Sequence, residues 1–371
     1  MKILQILGIR KADYDIILAL PEMFLQYLDE ILRAYGEKVK RIYYDEAHLI
    51  SEWGTDDFRP EYKAQARSLK MKFPNSRCVF VTATLTTRIK DDIVHTFGLS
   101  EDDYSTFTSV IDRSDIVFQV ERNVAHRYEY LDFVGHHIFT HKQNSKKILI
   151  YSVGIDDAVD AFSYLTDYLI DRDMKVKNHN GLRYIEMYHS VTDKERGTEI
   201  TQEFSKADSS IKVLCCTIKY GVGVDLSGVA MVILFGIPAR ITDLVQEVGR
   251  VCRDDTVECG LAKIYITGQS VRNIRDQHNK RIKQGKVHVL DPYIEELIEN
   301  DKSCVRDIML KAFNFSREEV PENTKAICDR PTKCEVLCPC KSCCCCSVCC
   351  TKCKCSSSLS HDIITNHFLE M

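Results

Sequence analysis

The stretch VKRIYYDEAH, residues 39–48, joins an apolar run to an acidic pair. The run up to Tyr44 predicts a buried strand. An acidic pair at the carboxyl end of such a strand is where an α/β protein holds the Mg²⁺ of a nucleoside triphosphate. On this interpretation Asp45 anchors the metal, Glu46 orients or deprotonates the attacking water, and His48 links the nucleotide site to the part of the protein that moves. A surface turn is the alternative interpretation of the same tetrapeptide.

Composition limits the class of protein. The chain has 371 residues, 44% of them hydrophobic and 28% charged, with a formal net charge of −4. This predicts two or three domains, and contact with nucleic acid only through a local basic surface. No apolar run reaches the ~18 residues of a membrane span, so no membrane partner is expected. Of the 18 cysteines, 12 lie between Cys328 and Cys355, which predicts bound metal or reduced thiols more readily than disulfides.

Strand-like and helix-like segments alternate along residues 13–99 and again from about 116 to 284. This pattern predicts an α/β fold with parallel sheets covered on both faces, in two stacked domains with a cleft between them. We expect one helix to open at Pro21 and end before Gly36, and another to be capped by Thr192 with Glu195. The predicted strands are 15–20, 39–44, 78–82, 148–152, 213–217, 231–236 and 263–267. The predicted domains are 1–112, 113–287, a helical cysteine-rich region 288–350 and a disordered tail 351–371.

A second informative segment, residues 50–62, holds the only tryptophan of the chain. Trp53 and Phe58 beside Arg59 suit stacking on unpaired bases together with contact to phosphate. A core tryptophan beneath a loop is the alternative interpretation.

The DEAH tetrapeptide followed by S-x-W-G and D-F-R-P resembles the RecQ family of 3′-to-5′ DNA helicases. The resemblance implies two RecA-like domains, the first of them incomplete here, followed by a small helical zinc-binding segment. It also implies that Trp53, Phe58 and Arg59 sense single-stranded DNA. The sequence departs from the family pattern in having three residues, not two, between Gly54 and Phe58.

Further motifs follow in the order of the family. Thr82-Ala83-Thr84 resembles the third helicase motif, which couples hydrolysis to strand movement, and residues 147–152 and 188–190 resemble later ones. Residues 216–225 resemble the fifth motif and include Thr217, Gly221, Gly223 and Asp225. Residues 246–254 resemble the sixth motif and include Gln246, Arg250 and Arg253. The two arginines are three residues apart, so we expect them to share a helix face. The resemblance implies that Arg253, with Arg250 beside it, stabilises charge on the γ-phosphate.

The resemblance also implies a Zn²⁺ site that begins at Cys304. Cys328 is the natural second ligand, and by order Cys334 and Cys338 complete the set, although Cys340 and Cys343 form a cleaner C-x₂-C pair. The excess of cysteines either holds additional zinc or has no selected role.

The implied activity is ATP-dependent 3′-to-5′ unwinding of single-stranded, forked or partly duplex DNA. It uses ATP, Mg²⁺ and Zn²⁺ and serves DNA repair and recombination in the nucleus. The sequence contains no G-x-x-x-x-G-K-[ST] phosphate loop, so we expect a chain that lacks the first third of such a protein. One rival is an inactive remnant that binds nucleic acid or a protein partner. A third hypothesis makes the cysteine-rich end a metal buffer like a metallothionein.

Overall fold

A computed structural model describes most of the chain in two compact units, Met1–Ser109 and Val110–Met371. The described residues are 14–52, 61–113, 115–125, 127–176, 183–217, 225–253, 257, 259–285, 290–300, 302–316, 319, 346–352, 365 and 369. Within them no helix is both long and apolar enough to cross a membrane.

The first unit pairs two short parallel strands with helices. Its elements are α1 Pro21–Tyr35, a 3₁₀ turn Gly36–Lys38, β1 Arg41–Tyr44, α2 His48–Glu52, α3 Glu61–Lys72, β2 Arg77–Phe80, α4 Thr87–Phe97 and a 3₁₀ turn Glu101–Asp103. Strand β1 runs parallel to β2, with Arg41 opposite Arg77 and Tyr44 opposite Phe80. Both strands therefore present their carboxyl ends at the same edge.

Aromatic packing organises the core of the first unit. The ring of Tyr44 stacks on Phe80 at 5.1 Å between centroids, and Phe97 of α4 meets both rings edge-on. The hydroxyl of Tyr44 is buried and has no hydrogen-bond partner among the residues that the structure describes, and this burial raises its pKa. Residues 41–44 are thus held by side chains on one face, while Tyr43 is 62% exposed on the other.

The prediction of a buried strand at residues 15–20 is wrong. The segment has no regular secondary structure and lies outside the two-stranded sheet, and Ile16 and Leu18 are 78% and 93% exposed. Because the residue before a proline avoids the helical region, Leu20 stays extended ahead of Pro21 without any strand pairing. The helix itself begins at Pro21 and ends at Tyr35, just before Gly36, as predicted.

The second unit is built on a larger parallel sheet. Its elements are β3 Ile116–Val124, a 3₁₀ turn Tyr128–Leu131, α5 Asp132–His141, a 3₁₀ turn Lys142–Asn144, β4 Lys147–Ser152, α6 Ile155–Ile170, β5 Ile185–Tyr188, α7 Lys194–Phe204, β6 Val213–Thr217, β7 Val229–Phe235, α8 Ile241–Val248, β8 Gly260–Thr267, α9 Gly268–Lys283, α10 Pro292–Glu299, α11 Val305–Ala312 and α12 Ser347–Lys352. The six strands are ordered β3-β8-β7-β4-β6-β5, and every pair is parallel.

Both faces of this sheet are covered, so its central strands are apolar throughout. Every residue of β4, β7 and β8 is buried. Alternate residues feed two separate cores: Leu149 and Leu214 belong to one, and Ile148 and Val213 to the other. The predicted parallel α/β architecture is confirmed, and the observed strands overlap all four that were predicted in this unit.

One detail of the second unit differs from expectation. Helix α7 is capped by Asp193, which accepts hydrogen bonds from the backbone N–H groups of Glu195 and Arg196, so the predicted Thr192 cap is wrong. The Thr192 hydroxyl instead accepts from the N–H of His189. Asp193 is one residue closer to the helix, and its carboxylate is the stronger acceptor for the first-turn donors.

A buried lysine joins several elements of the second unit. Lys147 is 3% exposed, and its ammonium donates to the carbonyls of Phe204 and Lys206 at 2.6 and 2.9 Å and to that of Ser227. The charge therefore satisfies carbonyls at and beyond the end of α7, which the helix leaves without internal partners.

The C-terminal region covers the free edge of β3. Cys346 forms a parallel bridge with Phe118, and the hydroxyl of Ser347 accepts from the N–H of Val120 at 3.1 Å. Arg306 of α11 donates to the carbonyls of Arg113 and Ile116 and pairs with Asp112. These contacts satisfy backbone groups that an open sheet edge would leave exposed.

Candidate functional site

The acidic pair lies where the parallel strands of the first unit end. Asp45 is exposed directly after β1, and its carboxylate accepts a hydrogen bond from the N–H of Glu46 at 3.0 Å. Glu46 has φ of +48°, a left-handed conformation that is uncommon for a residue with a side chain. Held backbone strain of this kind clusters at functional sites. The two carboxylates are accessible to a hard cation and to water.

His48 connects this pair to the segment that follows β2. Its Nδ1 lies 2.9 Å from Oγ1 of Thr82 and 3.3 Å from a carboxylate oxygen of Glu46. The Thr82 hydroxyl also accepts from the N–H of Thr84 at 3.2 Å. His48 and Thr84 are buried, so the contacts form a continuous polar chain from Glu46 to Thr84. The structure thus brings together four of the predicted residues.

The residues predicted to sense single-stranded DNA are not among those that the structure describes. Trp53, Phe58 and Arg59 lie outside the described residues, and their roles stay predictions. The same holds for Gly221 and Gly223 of the fifth motif.

In the second unit, residues of the fifth and sixth motifs meet. Thr217 ends β6 and Asp225 follows in an exposed position. A carboxylate oxygen of Asp225 lies 3.3 Å from Nε of Arg253. Both side chains are exposed, so the pair contributes little stability. Its significance is that it sets the two motifs side by side.

The expectation that Arg250 and Arg253 share a helix face is wrong. Helix α8 ends at Val248, with Gln246 in its last turn, and both arginines lie beyond it. Cys252 has φ of +49°, which turns the chain between the two arginines, and its N–H donates to the carbonyl of Val229. The helix ends ahead of Gly249, which keeps a right-handed φ of −65°, and the left-handed turn at Cys252 lies beyond it within the motif.

Arg113 holds this turn in place and was not predicted from the sequence. Its guanidinium donates to the carbonyls of Val251 and Cys252 at 3.0 and 2.7 Å and pairs with Asp115. The hydrogen bond to Asp115 raises the pKa of Arg113 further. Because these contacts join residues 138 and 139 positions apart, no local sequence signal could have indicated them.

Glu247 is a second residue that the sequence did not single out. It is 4% exposed, and within the described part of the chain neither carboxylate oxygen has a hydrogen-bond partner. Burial raises the pKa of Glu247 well above its ordinary value, and Asp243 raises it further, while Arg240 and Arg250 oppose the shift. The site therefore favours the neutral, protonated carboxyl of Glu247, which lies between Gln246 and Arg250, two residues predicted to belong to the site.

Three thiols converge beside β3. The Sγ atoms of Cys304, Cys346 and Cys349 all lie within 4.8 Å of one another, and those of Cys304 and Cys346 are 3.7 Å apart. Four sulfurs at ~2.3 Å from a tetrahedral Zn²⁺ are separated by about 3.8 Å, so the geometry and the soft donors fit zinc. Of the predicted ligands, Cys304 is in this cluster, whereas Cys328, Cys334 and Cys338 lie outside the described residues.

Two family models match the chain. The DEAD/DEAH box helicase model matches residues 2–92, and the helicase conserved C-terminal domain matches residues 129–255. One match falls in each unit, and together they include the acidic pair and the fifth and sixth motifs.

Curated proteins of similar sequence are also named as helicases. The ATP-dependent DNA helicase Q-like 4B of Arabidopsis thaliana is 27% identical over 91% of this chain and 29% of its own length. The ATP-dependent helicase SGS1 of Saccharomyces cerevisiae is 27% identical over 81% and 20%, and the ATP-dependent DNA helicase RecQ of Haemophilus influenzae is 26% identical over 81% and 44%. The chain therefore spans less than half the length of each of these relatives.

Solved structures share the fold. Dbp5 of S. cerevisiae bound to RNA and ADP BeF3 aligns with a TM-score of 0.50 at 12% identity, covering 76% of this chain and 69% of that one. The Mycobacterium smegmatis helicase Lhr bound to ssDNA and AMP-PNP aligns with the same score at 14% identity, covering 82% and 40%. At these identities the likeness concerns the RecA-like α/β fold alone.

Proposed function

We propose that this chain, a RecQ-like member of helicase superfamily 2, is the motor part of an ATP-dependent DNA helicase that moves 3′ to 5′ along one strand. The observation that carries the proposal is the contact of His48 with both Glu46 and Thr82. A residue that touches the water-activating carboxylate and the following motif at once is suited to link hydrolysis to movement.

The first unit supplies the hydrolytic chemistry. Asp45 holds Mg²⁺, which when bound neutralises charge on the β- and γ-phosphates of ATP. Glu46 orients the attacking water and accepts its proton. Its backbone conformation and its contact with His48 fix the direction of the carboxylate. His48 then transmits a change at Glu46 to Thr82 and Thr84.

The second unit supplies positive charge to the transferring phosphoryl group through Arg250 and Arg253, with Gln246 contacting the nucleotide site. An arginine in this role is worth ~10³–10⁵ in rate. Asp225 holds Arg253 until nucleotide binds, and release of this exposed pair costs little. Thr217, Gly221 and Gly223 contact the DNA backbone together with Trp53, Phe58 and Arg59 of the first unit.

Zinc has a structural part in the proposal. The thiols of Cys304, Cys346 and Cys349 hold the metal, with a fourth ligand from the cysteine-rich segment. When bound, zinc ties α11 to the segment that covers β3. The nuclear location and the roles in repair and recombination follow from the relatives and are part of the proposal.

A second candidate function rests on one specific observation. The sequence has no G-x-x-x-x-G-K-[ST] loop, the element that cradles the β- and γ-phosphates in motors of this class. A chain without a substitute for that loop binds nucleic acid or a partner but does not hydrolyse ATP.

A comparison of DNA-stimulated ATP hydrolysis by this chain and by the Glu46→Gln variant distinguishes the two candidate functions. Hydrolysis that depends on DNA and is lost in Glu46→Gln supports the motor, and faster unwinding of a duplex with a 3′ overhang than with a 5′ overhang supports its direction. DNA binding with no hydrolysis above the variant assigns the chain to the binding function.

A further inference from the structure

Helix α9 carries a concentration of positive charge that the motor motifs do not use. Its exposed cations are Arg272, Arg275, Lys280, Arg281 and Lys283, and its only acidic residue is Asp276. Among the residues that the structure describes, none of these five cations pairs with a carboxylate. Arg272 donates to the side chain of Gln269. In a chain of net charge −4, this helix is a local basic surface of the kind that nucleic-acid contact requires.

Stability of the helix does not account for these charges. Lys280, Arg281 and Lys283 lie in the last turn, where cations interact favourably with the helix dipole. Arg272 is near the other end, where a positive charge is unfavourable. The core contacts of α9 come from Val271 and Ile274, so the charged face is free of any packing task.

Three of the cations form a row. At 100° per residue, Arg272, Lys280 and Lys283 fall within a sector of about 80°, and they extend for about 16 Å along the helix. Asp276 lies in the same sector, so this face carries three cations against one carboxylate and keeps a net positive charge. Arg275 lines a small cavity together with Glu295 and Glu299 of α10, which offset its charge. The row is held on a rigid element and so matches a rigid, regularly charged partner.

The position of α9 favours the same partner. A Cβ at Gly236, just after β7, would meet Ser270 at 3.2 Å and Val153, which follows β4, at 2.5 Å. The first turn of α9 therefore packs at the carboxyl edge of β7 and β4. Thr217 ends β6, the neighbour of β4, at that same edge. A nucleic acid bound at Thr217 lies at the edge from which α9 projects.

We propose that Arg272, Lys280 and Lys283 bind the phosphate backbone of duplex DNA, as a contact separate from the strand-tracking site. DNA as the polyanion rests on the proposed function. Duplex is favoured over single-stranded DNA because α9 contains no Phe, Tyr or Trp on which unpaired bases could stack. A membrane surface is disfavoured because two of the three large apolar residues of α9, Val271 and Ile274, pack inward and only Ile282 is exposed, whereas an interfacial helix exposes its whole apolar face.

The test is the salt dependence of duplex binding by the full chain without nucleotide. Fluorescence anisotropy with a labelled blunt duplex between 50 and 200 mM KCl compares the native chain with Arg272→Gln/Lys280→Gln/Lys283→Gln. Each lost phosphate contact lowers the slope of log K against log salt by ~0.9. We expect the slope to fall by about 2.7, so that the fall in affinity over this range becomes roughly 40-fold smaller. Glutamine keeps helix propensity, so α9 stays folded.

A matched control is Lys142→Gln/Arg172→Gln/Lys175→Gln, which removes three exposed cations elsewhere in the same unit and should leave the slope unchanged. Equal slopes for the two triple variants would overturn the proposal. So would competition by polyglutamate as effective as that by duplex, which would assign the helix to an acidic protein. ATP hydrolysis is not part of the measurement, so failure of the motor hypothesis and failure of this one are distinguishable.

Discussion

His48 and Thr82 are joined side chain to side chain, with 2.9 Å between Nδ1 and Oγ1. The two residues follow different strands of the first unit and are 34 positions apart. His48 also reaches Glu46, and Thr82 also accepts from the N–H of Thr84. Since His48 is buried, loss of one partner leaves a polar group without water to replace it. The histidine is therefore a structural link between the acidic pair and the segment that follows β2.

Replacing Thr82 with valine removes the hydroxyl and keeps the shape. We expect Thr82→Val and His48→Ala each to lower the free energy of unfolding of the first unit, and their combination to cost less than the sum. The coupling should be about 0.5–1.5 kcal/mol, the net value of a hydrogen bond. A double-mutant cycle from urea denaturation measures it.

Thr96→Val is the matched control in the same unit. The Thr96 hydroxyl is buried and has no hydrogen-bond partner in the structure, so its removal should be neutral or stabilising. Strict additivity of the Thr82 and His48 variants would show that the contact carries no coupling.

Arg113 should contribute more to stability than its exposed surroundings suggest. Arg113→Ala leaves the carbonyls of Val251 and Cys252 without their donor and Asp115 without its partner. We expect a loss of about 1–3 kcal/mol in the free energy of unfolding, typical of hydrogen bonds to a charged group. Arg113→Lys should recover only part of it, because lysine lacks the planar fork.

Arg127→Ala is the control. Arg127 is an exposed arginine in the same unit, and its replacement should change stability by less than about 0.5 kcal/mol. A similar loss for both alanine variants would contradict the role of Arg113.

Local sequence patterns predicted the strands whose formation depends on the residues within them. Strands β4, β6 and β7 are continuous apolar runs because both sheet faces are covered, and they were recognisable for that reason. Strand β3 was missed because Glu121 and Arg122 interrupt its apolar pattern at the sheet edge. The apolar run at 15–20 predicted a buried strand that does not form, since a pattern cannot show whether a neighbouring strand is available to pair.

The residues of the candidate site also fall into two groups, those that the sequence could indicate and those that it could not. Asp45, Glu46 and His48 are contiguous, and the sequence was sufficient to group them. The resemblance to a family placed Asp225 and Arg253 in two separate motifs, but their contact was not predicted and is seen only in the structure. Arg113 acts on carbonyls far along the chain, and Glu247 is unusual only for its lack of partners, which no residue pattern records.

Glu247 predicts a pH dependence of stability. Burial raises the folded-state pKa of its carboxyl above the unfolded value of about 4.3. Below that pH both states are protonated and folding carries no penalty. As the pH rises, the unfolded state releases the proton and the folded state retains it, so stability falls, by up to about 1.4 kcal/mol per pH unit. Glu247→Gln does not have this loss. Its free energy of unfolding, relative to that of the native protein, should therefore increase between pH 4.5 and 7.

Thermal unfolding of both proteins across this range gives the difference. Glu295→Gln, an exposed glutamate on α10, controls for the general effect of removing a carboxyl. If the curves of the native chain and Glu247→Gln run parallel from pH 4.5 to 7, Glu247 is ionised in the folded state and has a partner.

The cysteine cluster predicts a defined metal stoichiometry. Cys304 precedes α11, whereas Cys346 and Cys349 belong to the segment that covers β3, so a metal bound by all three joins the two parts. Co²⁺ in place of Zn²⁺ should give thiolate charge-transfer absorption, and Cys304→Ser/Cys346→Ser/Cys349→Ser should lose one metal per chain and unfold at a lower temperature. Chelation should lower the unfolding temperature of the native chain but not of the triple variant.

Cys78→Ser, in the first unit, is the control and should keep both the metal and the stability. Retention of several metals per chain by the triple variant would contradict a single structural site and assign the cysteine-rich segment to metal buffering.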